Sequence, residues 1–137
     1  MTKATPLNGV GLVLADLDGV IYQGQRPINH AIESLVKARK YANLGFITNN
    51  ASRTPASVAE QIAELGIPAT AEDVVTSPQA AVRVLTRLIE PGSLVLVVGG
   101  EGLTSEVESA GFRITRSADD APDAVIKVFR PRWGGAI

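Results

Sequence analysis

The chain has 137 residues, of which 45% are hydrophobic and 20% charged, a composition that fits one soluble globular domain or two small ones. Its 13 Lys and Arg against 14 Asp and Glu give a formal charge of −1, which excludes the concentrated positive charge of a nucleic-acid binder. No apolar run reaches the roughly 18 residues needed to span a bilayer, Met1 to Pro6 holds no apolar signal stretch, and the lack of cysteine removes disulfides, zinc–cysteine sites and thiol nucleophiles, so a cytoplasmic setting is the default.

With one Trp, two Tyr and three Phe, the core must be built from Val, Leu, Ile and Ala. Val10 to Ala15 reads as a buried strand. Asn29 is placed to cap a helix with Ile32, Leu35 and Val36 on one face. Gly45 precedes a second short strand, Phe46 to Thr48. Thr54-Pro55 opens a helix with Val58, Ile62 and Leu65 aligned, and Gly66 closes it. Val74-Val75 is a brief strand, and Ser77-Pro78 repeats the signal of a cap followed by proline. The next helix carries Ala81, Val82, Leu85, Leu88 and Ile89 as its apolar stripe, ending at Pro91-Gly92. Leu94 to Val98 is the clearest strand, followed by a helix over Glu101 to Ala110 that stops at Gly111. Phe112 to Thr115 and Ala124 to Phe129 are further strands. This alternation predicts an α/β protein with a mostly parallel sheet and right-handed crossovers.

The sharpest chemical feature is Asp16-Leu17-Asp18-Gly19-Val20, directly after the first strand. In parallel α/β sheets, ligands bind beyond the carboxyl ends of the strands. Alternate residues leaving a strand point the same way, so Asp16 and Asp18 can face one reacting centre. One carboxylate could attack phosphorus while the other protonates the leaving oxygen, with Mg²⁺ neutralising carboxylate and phosphate. Alone, the pair reads first as a strand-terminal Asp followed by a turn-capping Asp. Thr48-Asn49-Asn50 shifts that balance, because it follows the second strand on the same sheet edge and offers a hydroxyl, amides and free backbone N–H groups to a phosphate. An Asx-type turn is the plain alternative.

Asp16-Leu17-Asp18-Gly19-Val20-Ile21 resembles the first motif of the haloacid dehalogenase superfamily, and Thr48-Asn49-Asn50-Ala51-Ser52-Arg53 resembles the second motif of its nitrophenylphosphatase-like branch. That branch includes phosphoglycolate, pyridoxal phosphate and glycerol phosphate phosphatases. The likeness continues through Glu72 to Ser77, Val97 to Leu103 and Pro122 to Ile126. It implies an incomplete Rossmannoid core over 1–76 and the first part of an α/β cap over 77–137. It implies a Mg²⁺-dependent phosphatase of small phosphorylated metabolites acting through an aspartyl-phosphate. By the same resemblance, Asp16 is nucleophile and metal ligand. Asp18 is general acid/base and gives its backbone carbonyl to the metal. Thr48, Asn49 and Asn50 bind the phosphoryl group, Gly19 gives the chain a close approach to it, and Tyr22 to Arg26 form a flexible flap.

The family also supplies a later Lys and a Gly-Asp-x-x-x-x-Asp motif, which this sequence does not contain. Asp119, Asp120 and Asp123 match a cap loop, and Lys127 is a weak substitute because its neighbours match the cap. After Ile126 the resemblance ends: Pro131-Arg132-Trp133-Gly134-Gly135 stands near the family's Pro-x-Val-Gly-Trp, which suggests a truncation or a one-base frameshift near codons 127 to 132. The chain alone is therefore expected to be inactive. Two other readings stay open, a non-catalytic truncated product and a small flavodoxin-like signalling receiver. The latter lacks the expected late Lys-Pro pair. Gly99-Gly100-Glu101-Gly102 reads as a plain strand-to-helix turn, and His30 as a surface or capping residue. The implied partner is a small organic phosphate, with no nucleic acid or membrane, and with homo-oligomerisation left open.

Overall fold

The computed structural model describes residues 6–128. Strand β1 (Leu12–Asp16) alternates, with Ala15 and the following Leu17 buried while Leu12, Leu14 and Asp16 are exposed. Where the sequence suggests a flap, β2 (Tyr22–Gln23) and β3 (Arg26–Pro27) form a small antiparallel hairpin. Gly24 turns it in the left-handed region at φ 62°, where glycine carries no steric penalty. Helix α1 (Ala31–Ala38) begins after His30 rather than at Asn29. His30 takes φ 67°, and its Nδ1 lies 3.3 Å from Glu33 Oε1 across the first turn.

Strand β4 (Asn43–Thr48) pairs in parallel with β1 and starts before Gly45. Gly45 sits opposite Leu14 in the ladder, where an added Cβ would lie 2.7 Å from Leu14 Cδ2. Pairing with β1 thus overrides the weak strand preference of glycine. Helix α2 (Pro55–Glu64) buries Val58, Ala59 and Ile62. A 3₁₀ turn at Ala71–Asp73, held by a capping box with Thr70, leads into β5 (Val74–Thr76). The sheet order is β1-β4-β5. Phe46, Leu17, Ile21, Ile62 and Ile67 fill the core of this first unit.

Helix α3 (Ser77–Leu85) is capped by Thr76 rather than Ser77. The Gln79 side chain accepts from Thr76 N–H at 2.9 Å, so the reciprocal capping box selects Thr76. Leu88 falls beyond the helix and is 73% exposed, whereas Ile89 still packs on the core. Strand β6 (Leu94–Val98), helix α4 (Glu101–Ser109), β7 (Arg113–Thr115) and β8 (Ala124–Lys127) complete the described elements. The sheet order is β7-β6-β8, with both pairs parallel. Val95, Val97, Leu103 and Val107 form its buried centre. Phe129 to Ile137, which hold the end of the last predicted strand and the divergent run, lie outside the described residues.

The parallel α/β prediction holds, but the strands form two separate three-stranded sheets instead of one. The chain divides into two compact units: residues up to Thr48 with Pro55–Val75, and Asn49–Thr54 with the residues from Thr76 onward. This speaks against the signalling receiver, which would fold as a single core. Among the described residues, no helix is long and apolar enough to cross a membrane.

The first sheet has one unusual face. Leu12, Leu14, Ile47 and Val75 are 53%, 57%, 41% and 51% exposed, although parallel sheets are normally covered on both faces. Strand β1 is also at the sheet edge. Contiguous exposed aliphatic side chains beside a strand edge favour association. The chain is therefore expected to associate as its concentration rises, and Leu14→Lys to shift it toward monomer in sedimentation velocity. Equal association of the two proteins would show that this face is not responsible.

Candidate active site

The carboxyl end of β1 turns sharply. The Leu17 carbonyl accepts N–H bonds from Val20 at 3.1 Å and Ile21 at 2.9 Å, while the Leu17 side chain is fully buried. That burial sends its neighbours Asp16 and Asp18 to the exposed side of the chain. Leu17 N–H donates to Asp16 Oδ1 at 2.9 Å. Gly19 follows at φ 81° and donates its N–H to the Tyr22 carbonyl at 2.8 Å. An added Cβ at Gly19 would meet nothing within 4 Å, so the backbone angle, not space, is what requires glycine here.

The parallel register pairs Asp16 with Ile47, which brings Thr48 to the same sheet edge. Thr48 is 6% exposed. The first unit thus gathers Asp16, Asp18, Gly19 and Thr48 at the carboxyl ends of two adjacent strands. Asn49 and Asn50 follow Thr48 directly, are exposed, and begin the Asn49–Thr54 segment that packs with the second unit. Asn50 Oδ1 accepts from Ser52 N–H at 3.1 Å and from the Ser52 hydroxyl at 2.6 Å, so the Asx turn that the sequence allows does form. Ser77, which the sequence suggests as a helix cap, does something else. Its hydroxyl donates to the Asn49 carbonyl at 3.2 Å, a long-range contact without any local sequence signal.

Two of the other acidic residues are occupied structurally. Asp120 accepts from the Thr115 hydroxyl, and Asp123 Oδ2 accepts from Leu94 N–H at 2.8 Å. Lys127 ends β8 in the second unit. Among the described residues, no group of three or more His, Cys, Asp or Glu is placed to hold a metal ion. Asp16 and Asp18 nevertheless offer the hard oxygen donors that Mg²⁺ prefers. Mg²⁺ commonly binds through one or two carboxylates and keeps several waters, so the pair fits part of its coordination shell.

The family model for haloacid dehalogenase-like hydrolases matches residues 13–113. The chain is similar to the D-glycerol 3-phosphate phosphatase of Mycobacterium tuberculosis, with 46% identity over 117 residues, covering 84% of this chain and 32% of that protein. It is 35% identical to the glycerol-3-phosphate phosphatase of Gallus gallus over 113 residues, covering 81% of this chain and 36% of the relative. The crystal structure of the Mycobacterium tuberculosis glycerol phosphate phosphatase in complex with magnesium superposes with a TM-score of 0.79 at 43% identity, over 88% of this chain and 36% of that one. The chain spans about a third of the length of these relatives.

Proposed function

Because the chain belongs to the haloacid dehalogenase-like hydrolase family, we propose that its residues form part of a phosphomonoesterase for small organic phosphates. The observation that carries this reading is the placement of Asp16, Asp18 and Thr48 at one sheet edge, with Leu17 buried between the two carboxylates. Residues 1–76 would contribute to the catalytic core and 77–137 to the cap. The relatives named for glycerol phosphate support a phosphorylated polyol or similar small metabolite as the substrate class.

In this reading, a carboxylate oxygen of Asp16 attacks phosphorus and the bond from phosphorus to the ester oxygen breaks. Asp18, protonated at that stage, gives its proton to the departing alkoxide. Asp18, now a carboxylate, then takes a proton from a water that attacks the aspartyl-phosphate. Inorganic phosphate leaves and the Asp16 carboxylate is restored. Thr48, Asn49 and Asn50 hold the phosphoryl oxygens by hydrogen bonds, and the left-handed Gly19 keeps the turn after β1 tight enough to leave room for them. Mg²⁺ held by the Asp16 carboxylate and the Asp18 backbone carbonyl would screen the charge between carboxylate and phosphate.

Titrating the ¹⁵N-labelled chain with inorganic phosphate and Mg²⁺ tests the reading. Amide signals of Asp16 to Gly19 and Thr48 to Asn50 are expected to shift together, and Asp16→Asn is expected to abolish the Mg²⁺-dependent part. An unchanged spectrum at both segments would refute the site.

A further inference from the structure

The glycine-rich turn before α4 has a role that its sequence alone does not suggest. Gly102 lies inside the first turn of α4, where glycine weakens a helix relative to alanine, yet it is buried. An added Cβ there would come within 2.7 Å of the Ala51 carbonyl oxygen and 2.8 Å of the Arg53 carbonyl oxygen. Both obstacles are backbone atoms, so no side-chain rotation could relieve them. Only glycine lets this helix turn seat on the Ala51–Arg53 backbone.

The turn is itself fixed. Arg116 donates to the carbonyls of Val97 at 2.9 Å and Gly99 at 3.2 Å, and to the Thr104 hydroxyl at 2.7 Å. These bonds tie the end of β6 to the start of α4. The start of the Asn49–Thr54 loop, on which that turn is seated, is tied to α3, where the Ser77 hydroxyl donates to the Asn49 carbonyl. The segment Asn49–Thr54 is therefore bonded to α3 at Asn49 and packed against α4 at Ala51 and Arg53, both elements of the second unit.

We infer that Gly102 and Ser77 are positioning residues that fix the Asn49–Thr54 loop in the shape that presents Asn49 and Asn50 to a phosphoryl group. The presentation to phosphate rests on the function proposed above, whereas the fixing of the loop does not. Neither residue touches the phosphate. Each acts through the backbone of the loop.

The test compares ¹⁵N-labelled full chains carrying Gly102→Ala, Ser77→Ala and Gly100→Ala. Gly100 is the matched control, because an added Cβ there would lie 3.9 Å from Ser52 Cα, an ordinary contact. Before any ligand is added, Gly102→Ala is expected to shift the amide signals of Ala51 to Arg53, and Ser77→Ala those of Asn49 and Asn50, while Gly100→Ala leaves the loop unmoved. On titration with inorganic phosphate and Mg²⁺, Gly102→Ala is expected to weaken binding about tenfold, since small misplacements of a positioning loop are costly. Ser77→Ala, which removes one neutral hydrogen bond, should weaken it about threefold. If Gly102→Ala does not fold, Ser77→Ala, which removes only a hydroxyl, decides alone. Loop signals in both variants that match the Gly100→Ala control would overturn the inference. So would a shifted loop that binds phosphate as tightly as the unaltered chain. A shifted loop in a protein whose unaltered form ignores phosphate would uphold the fixing of the loop and overturn its phosphate role, which separates this inference from the functional reading.

Discussion

Purified residues 1–137 are expected to hydrolyse p-nitrophenyl phosphate in the presence of Mg²⁺ no faster than buffer alone. The two carboxylates at the end of β1 can begin a metal site, but among the described residues no group of three or more acidic or His side chains surrounds a common point. Mg²⁺ demands near-octahedral oxygen coordination and gives up water reluctantly, so two carboxylates hold it weakly. The sequence also contains no Gly-Asp-x-x-x-x-Asp run. Preorganised charge around the reacting phosphoryl group commonly does more to lower the barrier than any other single effect, and losing one oriented group costs about 10²–10³-fold. Losing several together removes measurable turnover. The check is a long-time assay over a range of Mg²⁺ concentrations, with Asp16→Asn as the blank. Turnover that the substitution abolishes would show that further groups complete the carboxylate pair.

Phe46→Ala is expected to cost about 3–5 kcal/mol, the usual range for emptying a buried aromatic position. Phe46 is 1% exposed in the middle of β4, with Leu17, Ile21 and Ile62 in the same buried cluster. A loss of that size is a large part of the roughly 5–15 kcal/mol that holds an ordinary domain folded. The packing around Leu17 should suffer first, and with it the turn that aims Asp16 and Asp18 outward. Ile47→Ala is the contrasting substitution. Its side chain is 41% exposed on the opposite face, so its removal should cost under about 1 kcal/mol. Urea denaturation followed through the amide signals of Leu12 to Ile21 measures both. Equal losses from the two substitutions would contradict the assigned faces of β4.

The clearest sequence signals were those with a local physical cause. The apolar run Leu94 to Val98 became β6, and Thr54-Pro55 opened α2 one residue after the expected cap. The spacing of Asp16 and Asp18 around an apolar residue was enough to leave both exposed with Leu17 buried between them, because the alternation of environment at a strand end is a local property. The family resemblance was equally legible, since it rests on ordered short motifs whose residues are contiguous in the chain.

What the sequence did not contain was set by distant partners. The sequence puts Gly45 ahead of the second strand, but its place opposite Leu14 makes it part of β4. The choice of Thr76 over Ser77 as cap depended on the reach of the Gln79 side chain, and it freed the Ser77 hydroxyl to bond the Asn49 carbonyl. Leu88 continued the apolar spacing but not the helix, so it stayed in solvent. Two three-stranded sheets arose where alternation alone suggested one, because periodicity identifies strands but does not choose their neighbours. Gly102 shows the same division. Its identity is visible in the sequence, but the reason for it lies in the carbonyl oxygens of Ala51 and Arg53, far away in the chain, which only the folded backbone brings within reach of a missing Cβ.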